Sequence, residues 1–235
     1  MNMLKIILSS IFVVVLCAGY VDVAQAETYP EKLNRLYLSV DDDALYAALL
    51  KTENKSDFVH ALDFLKGKIV DQRIADSDYH AIYAMLLWRA GIKDTAAGMA
   101  AATLLILYAD KARCADESAG YTKLTSRFTL FKEMLEYLRN ADEDEKKVIL
   151  DIAMTMEERL SGRDPNRSLC YTGAATTSAA LDYAKKNNMD LEKTGRNSYV
   201  IPDFDHIDVE YVDADEWNRR REEIRTEFPN YFVSP

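Results

Sequence analysis

The densest group of side chains with possible chemistry is a run of carboxylates near the C-terminus. Asp203, Asp205 and Asp208 flank His206, and carboxylates beside an imidazole can coordinate a divalent cation. An EF-hand loop would also need a glycine at its sixth position and a glutamate at its twelfth. The sequence that starts at Asp203 has neither in register, so a metal site is the alternative interpretation of these four residues.

The same run has a second interpretation as a surface that binds a protein partner. We name it the acidic strip, and its members are Asp203, Asp205, Asp208, Glu210, Asp213 and Asp215. Carboxylates remain exposed to solvent unless they are paired with positively charged groups. We therefore predict that the acidic strip is a solvated edge that attracts a basic partner.

Glu117 and Ser118 form a pair that resembles the Glu-Ser pair in which helical lytic transglycosylases place their catalytic acid. The resemblance implies cleavage of cell-wall peptidoglycan with Glu117 as the general acid. Those enzymes continue with a Gly-Leu-Met-Gln type segment, whereas residues 126–131 here read Ser-Arg-Phe-Thr-Leu-Phe. A general acid also needs a pocket that raises its pKa. The alternative is that Ser118 caps a helix that begins near Tyr121.

Other catalytic and cofactor motifs are absent from the sequence. It has no Gly-x-Ser-x-Gly for acyl transfer, no glycine-rich phosphate loop and no His-Glu-x-x-His for zinc. His60 and His80 fall in separate predicted helices, and we expect surface or half-buried structural roles for both. No cofactor is expected, and a binding role is favoured over an enzymatic one.

Residues 1–26 have the order of a secretory signal peptide. Lys5 precedes an almost wholly apolar stretch, and Ala24-Gln25-Ala26 has the small-x-small form of a signal-peptidase site. The apolar stretch is shorter than the ~20 residues of a membrane-spanning helix, which favours cleavage over an uncleaved anchor. We expect the mature chain in the periplasm or secreted, without stable membrane insertion.

Two cysteines remain after that segment, Cys114 and Cys170. Cysteine pairs in exported proteins usually form disulfides, and the chain has no Cys-x-x-Cys redox motif. Closing this loop would stabilise the fold by roughly 4 kcal/mol as an upper figure. We predict a structural disulfide.

The net charge of −10 restricts the partners that the protein can bind. An acidic surface repels nucleic-acid phosphates and anionic lipid head groups, and it attracts basic proteins and cations. We therefore expect a basic protein partner and no nucleic acid.

Apolar residues recur at helical spacing along most of the chain. The stretch from Ala96 to Ala109 is apolar on nearly all sides, which is typical of the central helix of a bundle. Ser77 is predicted to cap the preceding helix. The predicted fold class is all-α, an irregular helical bundle or a short helical-hairpin array, with a partly extended C-terminal segment.

The helical spacing of apolar residues ends near Asn187. Residues 194–208 favour extended or irregular structure, and a terminal helix follows. In that helix the arginines at 219–221 and 225 interleave with glutamates at helical spacing, which predicts a solvated face. The predicted organisation is a signal peptide at 1–26, a helical domain at 27–190 and a C-terminal extension with a terminal helix at 191–235.

Export, a disulfide-bonded scaffold and negative charge together favour a non-enzymatic protein-interaction role. An immunity protein or an inhibitor of a secreted toxin or hydrolase is its concrete form. The alternatives are a peptidoglycan lytic enzyme that uses Glu117 and an assembly factor of an envelope complex.

Overall fold

The computed structural model describes residues 27–52, 54–74, 76–164, 167–187 and 208–232, with the backbone of 192–193 and 199–200. The predicted signal peptide lies outside the described residues. The described α-helices are α1 Tyr29–Leu38, α2 Asp42–Leu50, α3 Lys55–Lys66, α4 Ser77–Arg89, α5 Lys93–Lys111, α6 Tyr121–Leu130, α7 Lys132–Asn140, α8 Glu143–Arg159, α9 Arg167–Cys170, α10 Ala174–Lys186 and α11 Ala214–Glu227. The all-α prediction is confirmed.

Three short elements complete the described secondary structure. A π-helical turn, Gly67–Asp71, extends α3, and a 3-10 turn, Phe228–Phe232, follows α11. The two-residue strands β1, Glu192–Lys193, and β2, Tyr199–Val200, pair in antiparallel orientation. The boundary that the sequence places near residue 190 falls among residues outside the described part, so the division into two parts stays a prediction.

Helix α5 is the centre of the fold, because α4, α7 and α8 all pack against it. Every residue from Ala96 to Leu107 is buried, as its apolar circumference predicts. Small side chains let the neighbours approach closely. A Cβ added at Gly98 would lie only 2.8 Å from the Cβ of Ile152 on α8.

Aspartates cap several helix N-termini, which leave backbone N–H groups without intrahelical partners. Asp41 accepts from the N–H of Ala44 in α2 at 3.1 Å, and Asp142 accepts from Glu145 in α8 at 2.9 Å. At α4 the prediction for Ser77 is wrong. Asp76 is the cap and accepts from the N–H of Asp78 at 2.8 Å, because its position just outside the helix leaves the carboxylate free to turn back.

The predicted disulfide between Cys114 and Cys170 is present, with a Cα–Cα distance of 5.4 Å. It joins the C-terminal end of α5 to α9, and both cysteines are buried. Ala119 and Val209 pack against it and form a small apolar cluster apart from the main core. The disulfide therefore attaches α9 to the end of the central helix.

The C-terminal helix α11 also packs against α5. The indole N–H of Trp217 donates to the carbonyl oxygen of Ala109 at 3.0 Å, and the guanidinium of Arg113 lies over the indole at 3.8 Å. Phe228 and Phe232 of the following turn are buried. The terminal helix is thus part of the packed structure.

Candidate binding cleft

A cleft of 360 Å³ opens where the N-terminal ends of α2 and α4 meet the C-terminal end of α5 and the loop after α8. We name it the aspartate cleft, and its lining residues are Asp42, Tyr46, Asp76, Asp78, Asp110, Lys123, Arg163, Asp164 and Ser168. Asp42 and Asp76 lie at the N-terminal ends of α2 and α4, where aspartate is favoured. The cleft is therefore lined by five carboxylates and two cationic side chains.

Two of the carboxylates are paired with cations. Asp78 forms ion pairs with Arg127 and, at 3.5 Å, with Lys123 of α6. Asp110 is buried at the cleft floor, and the guanidinium of Arg163 approaches its Oδ1 to 2.6 Å. These pairs hold Lys123 and Arg163 close to Asp78 and Asp110 and so fix two walls of the cleft.

The remaining three carboxylates, those of Asp42, Asp76 and Asp164, have no ion-pair partner among the described residues. Water still reaches part of Asp76, yet its pKa is raised. The cause is first the displacement of water by the surrounding protein and then the charges of Asp78 and Asp42. The cap bond from Asp78 N–H and the charge of Lys123 oppose that rise. A cation placed in the cleft would remove this repulsion.

Tyr46 lines the cleft, and its ring begins a series of aromatic contacts that leads to α1. Tyr46 contacts Tyr79 edge to face, with ring centroids 5.6 Å apart, and Tyr79 contacts Tyr37 of α1 at 6.4 Å. Burial and the charges of Asp76, Asp78 and Asp42 raise the pKa of Tyr46. Its phenol therefore stays protonated at neutral pH and can donate or accept a hydrogen bond.

His80 is fully buried on α4, so the expectation of a surface or half-buried residue is wrong for it. Its Nε2 lies 2.8 Å from the carbonyl oxygen of Ile74, which makes Nε2–H the donor. Burial lowers its pKa to about 4, the charge of Arg163 adds to this, and the bond to Ile74 opposes it. His80 is therefore neutral at pH 7. His60, by contrast, is exposed.

Glu117 lies at the rim of a different cleft, of 530 Å³, between the C-terminal end of α5 and α11. Its side chain is exposed, whereas a general acid works where protein displaces water around it. Lys111, Arg219 and Arg220 line the same cleft. Glu117 therefore lies next to a cavity, but the surrounding protein does not exclude water from its carboxylate.

Ser118 and Asp116 have a structural role. The Ser118 hydroxyl accepts from the N–H of Ala174 at 2.8 Å, and Asp116 Oδ2 accepts from the N–H of Ala175 at 2.8 Å. Together they cap α10, a helix more than fifty residues later. The sequence interpretation that Ser118 caps the helix beginning near Tyr121 is wrong, because that helix begins after Gly120 in a left-handed conformation without a side-chain cap.

The acidic strip is described only from Asp208 onward, and Asp203, Asp205 and His206 lie outside the described residues. Asp208 and Glu210 line a pocket of 320 Å³ beside the disulfide. Asp213 caps α11 by accepting from the N–H of Glu216 at 2.8 Å, and Asp215 is exposed in the first turn. In the part of the chain that the structure describes, no group of three or more His, Cys, Asp or Glu side chains could hold a metal ion.

The arginines of α11 are divided between two environments. Arg219 and Arg220 pair with Glu216 on the surface, as predicted. Arg221 instead is buried against Glu157 of α8, so the prediction of a solvated face is wrong for this residue. Burial alone would raise the pKa of Glu157, but hydrogen bonds and charge from Arg221, with those of Arg225 and Arg163, hold it lowered.

Sequence reasoning missed the aspartate cleft. Its available signals were the aspartates at the helix starts, Asp42 and Asp76, and the exposed Asp164 in the loop after α8. Each has an ordinary local explanation as a cap or a loop residue. Only the packing of α2 and α4 around the end of α5 brings them to one cavity.

No helix of the described ranges combines the length and apolarity needed to cross a membrane. Comparison of the chain with models of protein families, with curated proteins and with solved structures finds no match.

Proposed function

We propose that this chain is an exported, non-enzymatic protein that binds a basic partner protein, as an immunity protein or an inhibitor of a secreted toxin or hydrolase does. The observation that carries the proposal is the aspartate cleft, in which Asp42, Asp76 and Asp164 face one cavity without ion-pair partners among the described residues. A lysine or arginine of the partner is the natural occupant of such a cavity.

The physical basis is electrostatic complementarity. A net charge of −10 attracts a basic protein over a distance comparable to the Debye length, about 8 Å at physiological salt. Loss of water, and after it the charges of Asp78 and Asp42, raise the pKa of Asp76. An incoming cation would favour the charged form of this carboxyl and so oppose that rise. Such complementarity raises association rates and selects the partner more than it raises affinity itself.

Export is supported by the signal-like order of residues 1–26 and by the disulfide between Cys114 and Cys170. Disulfides persist in oxidising compartments and are rare in the cytosol of most organisms. A rigid, disulfide-bonded scaffold also reduces the entropy lost on binding.

Affinity capture with the oxidised chain lacking residues 1–26 tests the proposal. At low salt we expect a stoichiometric basic protein from an envelope extract of the producing cells, released when the salt concentration rises. The double variant Asp42→Asn/Asp164→Asn should lose it. The matched control Glu136→Gln/Asp182→Asn changes the net charge equally at exposed sites outside the cleft and should retain it. Equal capture by both variants would contradict the role of the cleft.

The acidic strip is a competing contact surface within the same function. Neutralising two of its exposed members with Asp208→Asn and Asp215→Asn distinguishes the two surfaces. If these substitutions release the partner and those in the cleft do not, the partner binds the acidic strip.

A second candidate function is cleavage of peptidoglycan, favoured by the position of Glu117 at the rim of a 530 Å³ cleft. Purified peptidoglycan incubated with the protein should then release soluble fragments, and Glu117→Gln should abolish the release while the thermal midpoint stays unchanged. Fragments produced equally by both proteins would exclude Glu117 as the acid.

A further inference from the structure

The turn between α1 and α2 exposes two large apolar side chains. Leu38 and Val40 are 79% and 78% accessible, the highest values among the exposed large hydrophobic residues of the described chain. Exposed single apolar residues are common on protein surfaces. Val40, however, combines its exposure with an unusual backbone conformation.

Val40 has a φ of 56°, in the left-handed region. The turn is a Schellman motif: the N–H of Val40 bonds to the carbonyl of Tyr37 at 3.3 Å, and the N–H of Asp41 bonds to the carbonyl of Leu36 at 3.3 Å. The left-handed position of this motif is normally glycine or asparagine, because a β-branched residue there is strained.

The same chain ends α4 with the usual form of this motif. There Gly91 occupies the left-handed position at φ 78°, and the N–H groups of Gly91 and Ile92 bond to the carbonyls of Trp88 and Leu87 at 3.1 and 3.0 Å. Val40 replaces that glycine with a side chain that packs against almost nothing. The fold therefore gains no burial from Val40 that would offset its strain, which makes this β-branched residue a candidate for a role outside the fold.

The turn is adjacent to the aspartate cleft. Asp42, which lines the cleft, follows Val40 by two residues, so their Cα atoms are at most about 7 Å apart. The aromatic contacts from Tyr37 through Tyr79 to Tyr46 join the end of α1 to the cleft wall. The exposed turn thus directly precedes Asp42, a cleft residue that has no ion-pair partner among the described residues.

We infer that the Leu38–Val40 turn and the aspartate cleft together dock an extended partner segment that carries an apolar side chain two residues from a lysine or arginine. The inference rests on the proposed function and names the chemistry of its partner. An extended segment spaces residues i and i+2 by about 7 Å, which is close to the upper limit of the Cα separation between Val40 and Asp42. The cation enters the cleft while the apolar side chain covers Val40.

Fluorescence anisotropy with three labelled hexapeptides tests the inference. Each probe places its two test residues at positions i and i+2 of a glycine–serine background: leucine and arginine, serine and arginine, or leucine and glutamate. We expect the leucine–arginine peptide to bind at least about tenfold more tightly than the serine–arginine peptide, and we expect no binding of the leucine–glutamate peptide.

The decisive variants are Val40→Asn and Leu38→Ser. Each should weaken the leucine–arginine peptide about tenfold and leave the serine–arginine peptide unchanged. Val40→Asn should also raise Tm by about 2 °C, because asparagine tolerates the left-handed conformation. Arg73→Asn is the conformational control, since Arg73 is exposed with φ 55°. It should raise Tm similarly without weakening the peptide.

The apolar control is Val148→Asn, which removes an exposed valine of α8 and should not change peptide binding.

If both arginine peptides bind equally and Val40→Asn changes neither, the docking inference is wrong and the proposed function stands. If neither arginine peptide binds, the docking inference is also wrong, and the capture experiment separately decides the proposed function. A dimer in sedimentation that Val40→Asn dissociates would show that a second copy covers the turn, which would overturn the inference.

Discussion

Glu157 of α8 and Arg221 of α11 form a two-point ion pair in which Nε donates to Oε1 at 2.8 Å and Nη2 donates to Oε2 at 2.7 Å. Glu157 is completely buried, and Arg225 and Arg163 also approach it. This cluster attaches the C-terminal helix to the core. Breaking a buried pair by removing one partner is costly, because the other charge stays buried and uncompensated.

Glu157→Gln should therefore lower the free energy of unfolding by about 3–5 kcal/mol. Urea denaturation followed by tryptophan fluorescence measures it, since Trp217 lies on α11. The matched control is Glu158→Gln, which removes a largely exposed partner of the same arginines and should cost less than about 1 kcal/mol. Equal losses in the two variants would show that the buried pair has no special role.

Gly98→Ala should destabilise the protein, because the added Cβ would lie 2.8 Å from the Cβ of Ile152. We expect a loss of about 1–3 kcal/mol from overpacking the contact between α5 and α8. Gly67→Ala is the control: its Cβ would meet only Asp71, at 4.0 Å. Because alanine is the better helix former, that variant should be neutral or more stable. Thermal or urea unfolding of both variants checks the contrast.

The pair Asp116 and Gly173 offers a test of the cap on α10. A Cβ at Gly173 would collide with Asp116 Oδ2, so Gly173→Ala would displace the carboxylate from the N–H of Ala175. Loss of a cap costs about 0.5–2 kcal/mol, and displacement of Asp116 adds to it. Gly162→Ala meets no atom within 4 Å and serves as the control. Hydrogen exchange at the first turn of α10 should increase only in the first variant.

Stability should depend on pH through His80. Its folded pKa of about 4 lies below its ordinary value of 6.5, so between these values the unfolded chain binds more protons than the folded one. Stability then rises with pH in this window. The protein should lose about 3 kcal/mol from this residue between neutral pH and pH 4.

The measurement is the free energy of unfolding from pH 7.5 to 4 for the wild type and for His80→Gln, whose amide can keep the bond to the carbonyl of Ile74. Contributions of the other groups cancel in the difference between the two curves. We expect that difference to shrink or reverse as the pH falls. Parallel curves would mean that His80 does not titrate below its ordinary pKa.

Removing the disulfide with Cys114→Ser/Cys170→Ser should lower the free energy of unfolding by roughly 2–4 kcal/mol, because the unfolded chain regains the freedom of a long loop. The segment around Tyr211 should respond first. Tyr211 forms an antiparallel β-bridge with Cys114. In this bridge the N–H of Ala115 donates to the carbonyl oxygen of Glu210 at 3.0 Å. Faster hydrogen exchange at Ala115 than in α5 would confirm this order, and uniform exchange would contradict it.

The sequence by itself determined the all-α class, the central helix from Ala96 and the disulfide. Helical periodicity and an apolar circumference are local properties that a stretch of chain carries with it. The disulfide could be predicted by counting cysteines, because only Cys114 and Cys170 remain beyond the signal-like segment.

Only the tertiary structure decided which charges are buried and which converge. Arg221 stands in the same alternation with glutamates as Arg219, yet one meets Glu157 of α8 while the other pairs at the surface. Asp42, Asp76 and Asp164 are distant in sequence and share a cavity because α2, α4 and the loop after α8 surround the end of α5. Such contacts depend on which helix faces pack together, and residue spacing within one helix does not encode that choice.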